Sequence, residues 1–321
     1  MIKKTYRTLV KFSSASYSKK INHLFSLLNI EDGVNLIDVG AAGQIIPRWK
    51  RVEKYVNYYG FEPDNRSRKE LLAQKNNCNR YQLDENIVSD KSELKEIHLC
   101  KAPMTSSVYP PNRGFVDLFA ETDRFDVVSK EKLNATTIDQ LELTTTDFIK
   151  LDIQGGELNA LKGAEKTLKN CLGLEIEVEF LPIYKNQPLY ADVTNFLREH
   201  NFEFIDFLRI CRWERNNIYT NMGQAAWGDG LYLRTPEFVA KNIIETDTIK
   251  RYIAVCLLYN KIDLIVSLLD QFKDKSIVSS KFTKRLLRFD KRLKKSKWLK
   301  ERFNNLTKLF FFIDEEIHLF N

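Results

Sequence analysis

A doubly wound α/β fold, with a mostly parallel seven-stranded sheet and a helical C-terminal appendage, is predicted by three observations. An apolar run through Leu36 and Ile37 ends in a carboxylate, Asp38, and is followed by Gly40 and Gly43. The same order of strand, acid, glycine and helix returns at residues 147–164, where Asp152 ends the run and Gly155-Gly156 opens the helix. Between and after these runs, short apolar segments alternate with amphipathic ones, the pattern of helices wound on both faces of a sheet. A parallel strand is apolar on both faces, and glycines at its end let backbone approach a ligand closely.

The elements follow in order. Residues 19–28 carry Ile21, Leu24, Phe25 and Leu28 on one helical face. Strands are predicted at 36–39 and 56–61, with helices at 45–54, where Pro47 must occupy the first turn, and 65–77. A third strand is expected over 81–88. Residues 96–100 begin an irregular region through Ser106-Ser107 and Pro110-Pro111 to Asn112. Strands at 147–153 and 172–180 flank a helix with Leu158, Leu161, Ala164 and Leu168 on one face. A helix over 193–200 and two closing strands at 202–210 and 230–233 complete the sheet. Beyond Thr235-Pro236 the texture turns helical, at 238–244, 249–259 and 262–272, and ends in a basic segment. Three parts result: a lead-in over 1–32, a ligand-binding domain over 33–235 and an appendage over 236–321.

A hydrophobic content of 43% in 321 residues is enough for a large core, which excludes disorder as the main state. The five cysteines, Cys78, Cys100, Cys171, Cys211 and Cys256, are odd in number and scattered, so reduced thiols in the cytoplasm are expected. The longest apolar run is 253–259, far short of the roughly 20 residues of a membrane-spanning helix. The net charge of +7 is concentrated at the ends. Residues 1–30 hold six Lys/Arg and no acid, and residues 281–302 hold eleven Lys/Arg against Asp290 and Glu301, which leaves the middle net acidic. That distribution argues against a nucleic-acid partner for the main domain.

Asp38 stands where a dinucleotide-binding turn would begin with glycine, and a carboxylate repels a pyrophosphate. It suits a cationic ligand. Glu62, at the end of the next apolar run, offers an acceptor to a ribose diol. S-adenosylmethionine, with its sulfonium, ammonium and adenosine, fits both. The competing reading is a nicotinamide-dependent oxidoreductase using Glu62 on the ribose, against which Asp38 speaks. A third is a non-catalytic module that tethers a membrane or a partner.

Several runs together resemble the FkbM family of methyltransferases over residues 33–235. They are Asp38 to Gly43, Phe61-Glu62-Pro63, Lys150-Leu151-Asp152-Ile153-Gln154-Gly155-Gly156-Glu157-Leu158 with Leu161-Lys162-Gly163-Ala164, and Glu177-Val178-Glu179-Phe180 through Tyr184 to Gln187-Pro188-Leu189. Ser106-Ser107 and Trp227-Gly228-Asp229 are similar more loosely, and Ala42 occupies the second glycine position of the general loop. The resemblance implies a Rossmann-like class I methyltransferase fold and S-adenosylmethionine-dependent O-methylation, often of sugars on glycans, glycolipids or glycosylated metabolites. It implies cofactor contacts at Asp38, Gly40, Ala41, Gly43, Glu62 and Pro63, with Asn86 and Ile87 near the adenine.

Transfer of a methyl group to a hydroxyl requires that the acceptor be oriented and its proton removed. Asp152, Glu179 and Asp229 are the candidate bases. The same three carboxylates are alternatively the ligands of a Mg²⁺ ion, a metal suited to hard oxygens. Lys150 and Glu157 are read either as site residues or as an ion pair and a helix N-terminal charge. Glu175 and Glu177 are expected on a partly solvated strand face. His23, His98, His200 and His318 have no acidic or serine partner in a recognisable motif. The segment 281–302 interleaves Lys/Arg with Leu, Phe and Trp298, a pattern expected to lie on an anionic membrane surface, at the inner face of the membrane, or to pack its apolar side on the protein.

Overall fold

The computed structural model describes residues 16–120, 122–141, 143, 145–215, 223–272 and 277–311, with side chains in the last stretch described to 295 and at 298. Ten strands are found among them: β1 Val34–Val39, β2 Val56–Phe61, β3 Arg80–Asp84, β4 Ile87–Val88, β5 Leu94–Cys100, β6 Val127–Thr136, β7 Phe148–Leu151, β8 Gly173–Glu179, β9 Glu203–Trp213 and β10 Gln224–Leu233. The helices are α1 (residues 16–28), α2 Pro47–Lys50, α3 Asn65–Ala73, α4 Arg113–Val116, α5 Glu157–Lys162, α6 Glu165–Leu168, α7 Tyr190–Glu199, α8 Pro236–Asn242, α9 Thr246–Leu258, α10 Ile262–Gln271 and α11 Ser280–Phe311. The chain divides into two compact units, one of Gly33–Pro47 and Glu53–Thr235, the other of the described parts of 1–32, 48–52 and 236–321.

In the first unit, seven strands form one sheet in the order β3-β2-β1-β7-β8-β10-β9. All neighbours are parallel except β10, which runs antiparallel to both β8 and β9. The alternation of side chains gives the two faces different chemistry. One face puts Ile37, Val39, Phe61, Ile149, Leu151, Leu174, Ile176 and Val178 into a core completed by Ala160, Leu161, Leu168, Val193 and Leu197 from α5 to α7. Each such aliphatic side chain contributes about 1.5–3 kcal/mol by leaving water. The other face carries a row of ionisable groups. Asp38, Lys150 and Glu175 lie side by side in the register of β1, β7 and β8, and Glu177 and Glu179 follow at two-residue steps. Glu175 and Glu177 are buried rather than solvated, contrary to the expectation for that strand face.

Local chemistry explains where the boundaries differ from those predicted. The expected strand 81–88 breaks because the Asp84 carboxylate accepts the backbone N–H of Asn86 at 2.7 Å, an Asx-type turn that sends the chain from one sheet to another. Thus β4 joins a second sheet, in the order β4-β6-β5, that the sequence did not announce. Most of β6, Val-Val-Ser-Lys-Glu-Lys-Leu-Asn-Ala-Thr, is exposed and lacks an alternating apolar pattern. The helix after Gly155-Gly156 is divided into α5 and α6 at Gly163, where a Cβ would stand 2.1 Å from the Ser89 carbonyl. The helix expected over 45–54 is reduced to α2 and a 3-10 turn at Glu53–Tyr55.

The second unit is helical. Ile21, Leu24, Phe25 and Leu28 of α1 are buried, as are most residues of α9 and Phe282, Leu286 and Phe289 of α11. Tyr17 packs against Phe289 in a tilted arrangement at 5.7 Å between ring centroids and donates to Asn260 Oδ1 at 2.7 Å, so the lead-in helix and the C-terminal helices share one core. Trp49 Nε1 donates to Tyr259 Oη at 3.2 Å and brings residues 48–52 into it. No described helix is long and apolar enough to cross a membrane.

Candidate active site

The carboxyl ends of the parallel strands open on a cavity of about 400 Å³ in the first unit. Its shape begins with Gly40. This residue has φ +77°, and a Cβ there would stand 1.9 Å from the carbonyl oxygen of Asp152. Only glycine lets the β1 turn pass that close to the end of β7. The N–H groups of Gly40 and Ala41 both donate to the Phe61 carbonyl at 3.0 Å, which ties the turn to β2. Gly40 and Ala42 line the cavity, whereas Ala41 is buried behind it and Gly43 is off its wall, its carbonyl accepting from Gln74 Nε2.

Glu62 and Pro63 line the cavity at the end of β2. The turn that places them is held by Asp64, which caps α3 by accepting the N–H of Arg66 at 2.9 Å and donates its own N–H to Glu62 Oε1 at 2.8 Å. Burial pushes the Glu62 carboxyl up to about 7, against the lowering effect of the Asp64 N–H. Asn86 and Ile87 also line the cavity, with Val88 and Ser89 beside them.

Asp38 is not on the wall. It is 1% exposed, Tyr58 Oη donates to its Oδ2 at 2.8 Å, and Lys150 Nζ stands 3.4 Å from its Oδ1. Burial raises its pKa, while the Lys150 ammonium and the Tyr58 hydroxyl act in the opposite direction. Where the sequence reading expected a cationic ligand beside Asp38, the cation that the structure places there is Lys150. That ammonium is shared with Asp152, at 3.4 Å from Oδ2. Burial disfavours the Lys150 charge, but Asp38, Asp152, Glu175 and Asp229 outweigh burial and hold its pKa above the usual value.

Asp152 lines the cavity, and its side chain is 37% exposed. Gln154, a non-glycine residue at φ +57°, donates through Nε2 to Asp152 Oδ1 at 3.1 Å and to Glu177 Oε1 at 2.5 Å. Its orientation is set by Tyr184, whose hydroxyl lies 2.9 Å from both Gln154 Oε1 and the Thr105 carbonyl. Glu177 also lines the cavity, a position the sequence reading missed. Burial first, then Asp152 and Glu179, push its carboxyl well above the usual range.

The other two candidate bases stand elsewhere. Glu179 is buried off the cavity wall, its Oε1 has no hydrogen-bond partner among the described residues, and burial and Glu157 raise its pKa well above the usual range. Asp229 faces Glu177 in the β10–β8 register and is not on the wall; burial, then Asp152 and Glu175, push it to about 7. Asp152, Glu179 and Asp229 do not form a Mg²⁺ site, and among the described residues no group of three His, Cys, Asp or Glu is placed to hold a metal ion. Glu157 sits in the first turn of α5, accepts the Ile153 N–H at 2.7 Å and is buried. His23, His98 and His200 are off the wall, and His318 lies outside the described residues.

The far side of the cavity comes from β9 and β10. Arg209, Cys211, Trp213 and Trp227 line it, with the Arg209 guanidinium 4.7 Å from the Trp227 ring centroid. Arg124 joins them, 5.1 Å from the Trp213 ring. Of these, only Trp227 stood in a run singled out in the sequence. Cys211 and Trp213 lie past the predicted end of their strand.

The Methyltransferase FkbM domain model matches residues 38–204, more than half of the chain. The chain belongs to the FkbM methyltransferase family. Among solved structures, a methyltransferase FkbM from Methylobacillus flagellatus KT is similar at 16% identity and a TM-score of 0.38, over 63% of this chain and 44% of that one. A SAM dependent methyltransferase from Aquifex aeolicus is similar at 12% identity and a TM-score of 0.26, over 66% and 89%. The chain thus spans less than half the length of the first of these. No curated protein matches it. Gly40, Glu62, Asp152 and Glu177 fall inside the FkbM match, whereas Arg209, Trp213 and Trp227 lie beyond its end.

Proposed function

We propose that this FkbM-family protein is an S-adenosylmethionine-dependent O-methyltransferase whose acceptor is a sugar hydroxyl on a glycan, glycolipid or glycosylated metabolite. The observation that carries the reading is the layout of the cavity. In the sheet order, Glu62 follows β2 toward one end, Asp152 follows β7 in the middle and Arg209 belongs to β9 at the other end.

The residues present fit the cofactor. Gly40 lets the β1 turn close onto the end of β7 and presents backbone to the cavity, Glu62 supplies a carboxylate for a ribose diol, and Ile87 and Val88 with Asn86 supply an apolar wall and an amide for an adenine. When bound, S-adenosylmethionine supplies a methyl group on a cationic sulfur. The protein's own residues bind, orient and take up a proton. Asp152 is the base in this reading, since it alone of the three predicted carboxylates lines the cavity. Lys150 and Gln154 hold its two oxygens in place. The half-buried Trp227 ring supports a sugar acceptor by offering apolar surface to its ring face, with the buried Trp213 behind, and Arg124 and Arg209 provide donors to its oxygens.

Calorimetric titration with S-adenosylhomocysteine tests the cofactor, and a mass-spectrometric search of glycan extracts for a gain of one CH₂ tests the acceptor. Saturable binding and a methylated sugar are expected. Tight NAD binding with no S-adenosylhomocysteine binding would reject the reading in favour of an oxidoreductase.

A further inference from the structure

The helical unit holds a second, smaller cleft. It has a volume of about 90 Å³ and is lined by Lys20, His23, Leu24, Arg285, Arg288, Phe289 and Arg292. The two helices that form it each present a regular stripe. Lys20 and His23 are one turn apart on α1, and Arg285, Arg288 and Arg292 fall at steps of three and four on α11, so their side chains emerge from one face. Leu24 and Phe289 are buried and make an apolar floor between the stripes. The Arg stems cover such a floor while their charged heads stay at the rim.

Among the described residues no carboxylate lines this cleft. The one acid of residues 280–295, Asp290, is paired with Lys294 at 2.7 Å and so is engaged elsewhere on the helix. Residues 16–28 contain no acid at all. Like charges gathered around a small concavity repel one another and focus a positive potential into it. An anion that enters relieves that repulsion. Guanidinium groups offer paired N–H donors in a plane, the geometry that matches phosphate oxygens. The volume is too small for a nucleoside or a sugar ring and suits a compact polyanion.

We infer that this cleft between α1 and α11 is a binding site for a phosphate or diphosphate group, held by Arg285, Arg288 and Arg292 with Lys20 and His23. The site is separate from the strand-end cavity and does not depend on the methyl-transfer reading.

Titration of the full chain with inorganic pyrophosphate at constant ionic strength tests it. One saturable site is expected, weakened about tenfold or more by Arg288→Gln, the loss of one charge-assisted contact. Arg288 is exposed, so the variant should melt at the same temperature as the parent without ligand. Lys291→Gln makes the same charge change on the same helix but does not line the cleft, and should leave affinity within about twofold, because it removes a solvent-screened charge and no direct contact to the anion. Absence of saturable binding, or equal losses in the two variants, would overturn the site. Flotation with phosphatidylcholine vesicles containing phosphatidic acid then separates the sources. Arg288-dependent flotation assigns the phosphate to a lipid headgroup, and pyrophosphate binding without flotation assigns it to a soluble phosphate ester; either result upholds the site.

Discussion

Asp38 and Glu62 end neighbouring strands, are both buried, and both have raised pKa values, yet their surroundings give them opposite tasks. Asp38 faces along the sheet toward a lysine on β7 and a tyrosine on β2. Glu62 faces the cavity, where its carboxylate accepts the Asp64 N–H and the Arg68 guanidinium bonds its main-chain carbonyl rather than the carboxylate. A carboxylate with a buried ammonium beside it is spent on holding two strands together. One that lacks such a partner is desolvated at a cost and remains open to a ligand. The lesson is that a carboxylate at a strand end stays available to a ligand through what is not placed next to it.

The comparison breaks first at Lys150. Lys150→Ala leaves Asp38 as an unpaired buried charge and is expected to cost about 3–5 kcal/mol in urea denaturation. The double variant Asp38→Asn, Lys150→Met should recover most of that loss. If instead Lys150→Ala were as stable as the parent, and Asp38→Asn alone abolished S-adenosylhomocysteine binding, Asp38 would be a ligand contact after all.

Asp152 sits between the two cases, since it shares Lys150 but also lines the cavity. Asp152→Asn should lower methyl transfer from radiolabelled S-adenosylmethionine into glycan extracts by about a hundredfold or more, the usual contribution of a positioned base. Cofactor affinity should stay within about threefold if no charge-assisted contact to the cofactor is lost. Normal turnover would move the proton-accepting role to Glu177.

Glu62→Ala should weaken S-adenosylhomocysteine by more than about tenfold, since a hydrogen bond to a charged group contributes about 1.5–3 kcal/mol. Its stability should match or exceed that of the parent, because a desolvated carboxylate is removed. A matched loss of stability and affinity would place Glu62 with Asp38 as a structural residue.

The smallest effect is in pH. The Glu62 pKa of about 7 in the folded chain lies above its ordinary 4.5, so between these values the folded state binds more protons than the unfolded one. The stability this group contributes is complete below about 4.5 and is lost as pH rises through about 7. Asp229, also near 7, acts in the same direction. If Glu62 meets the ribose as proposed, it does so as the carboxylate, so S-adenosylhomocysteine affinity should rise about threefold to tenfold from pH 6 to pH 8, and stay flat in Glu62→Gln. A flat profile in the parent would remove Glu62 from the ribose.

Much of the large sheet was legible because its signals are local. The runs ending at Asp38, Phe61 and Asp152 are short and largely apolar, and each is followed within three residues by glycine or by the capping Asp64. The second sheet was not legible, since β6 exposes both of its faces and carries Lys and Glu where an alternating strand would carry apolar residues. The full length of β9 and β10 was hidden for a related reason: Arg209, Cys211, Trp213 and Trp227 line a cavity and so break the pattern of a packed strand. Glu177 read as a solvated residue because acids on a strand usually are, and only the neighbouring Gln154 and Asp152 show otherwise.

By itself the sequence determined the strand, acid, glycine and helix units, their order and the family to which they belong, because each unit is encoded within a dozen contiguous residues. Only the tertiary structure decided which acid lines the cavity and which is paired with a lysine. The distance from Asp38 to its ammonium is 3.4 Å in space and 112 residues along the chain, and register between β1 and β7 sets it. Side-chain direction alternates at every residue of a strand, so a shift of one position would have turned Lys150 to the other face and left Asp38 without its cation.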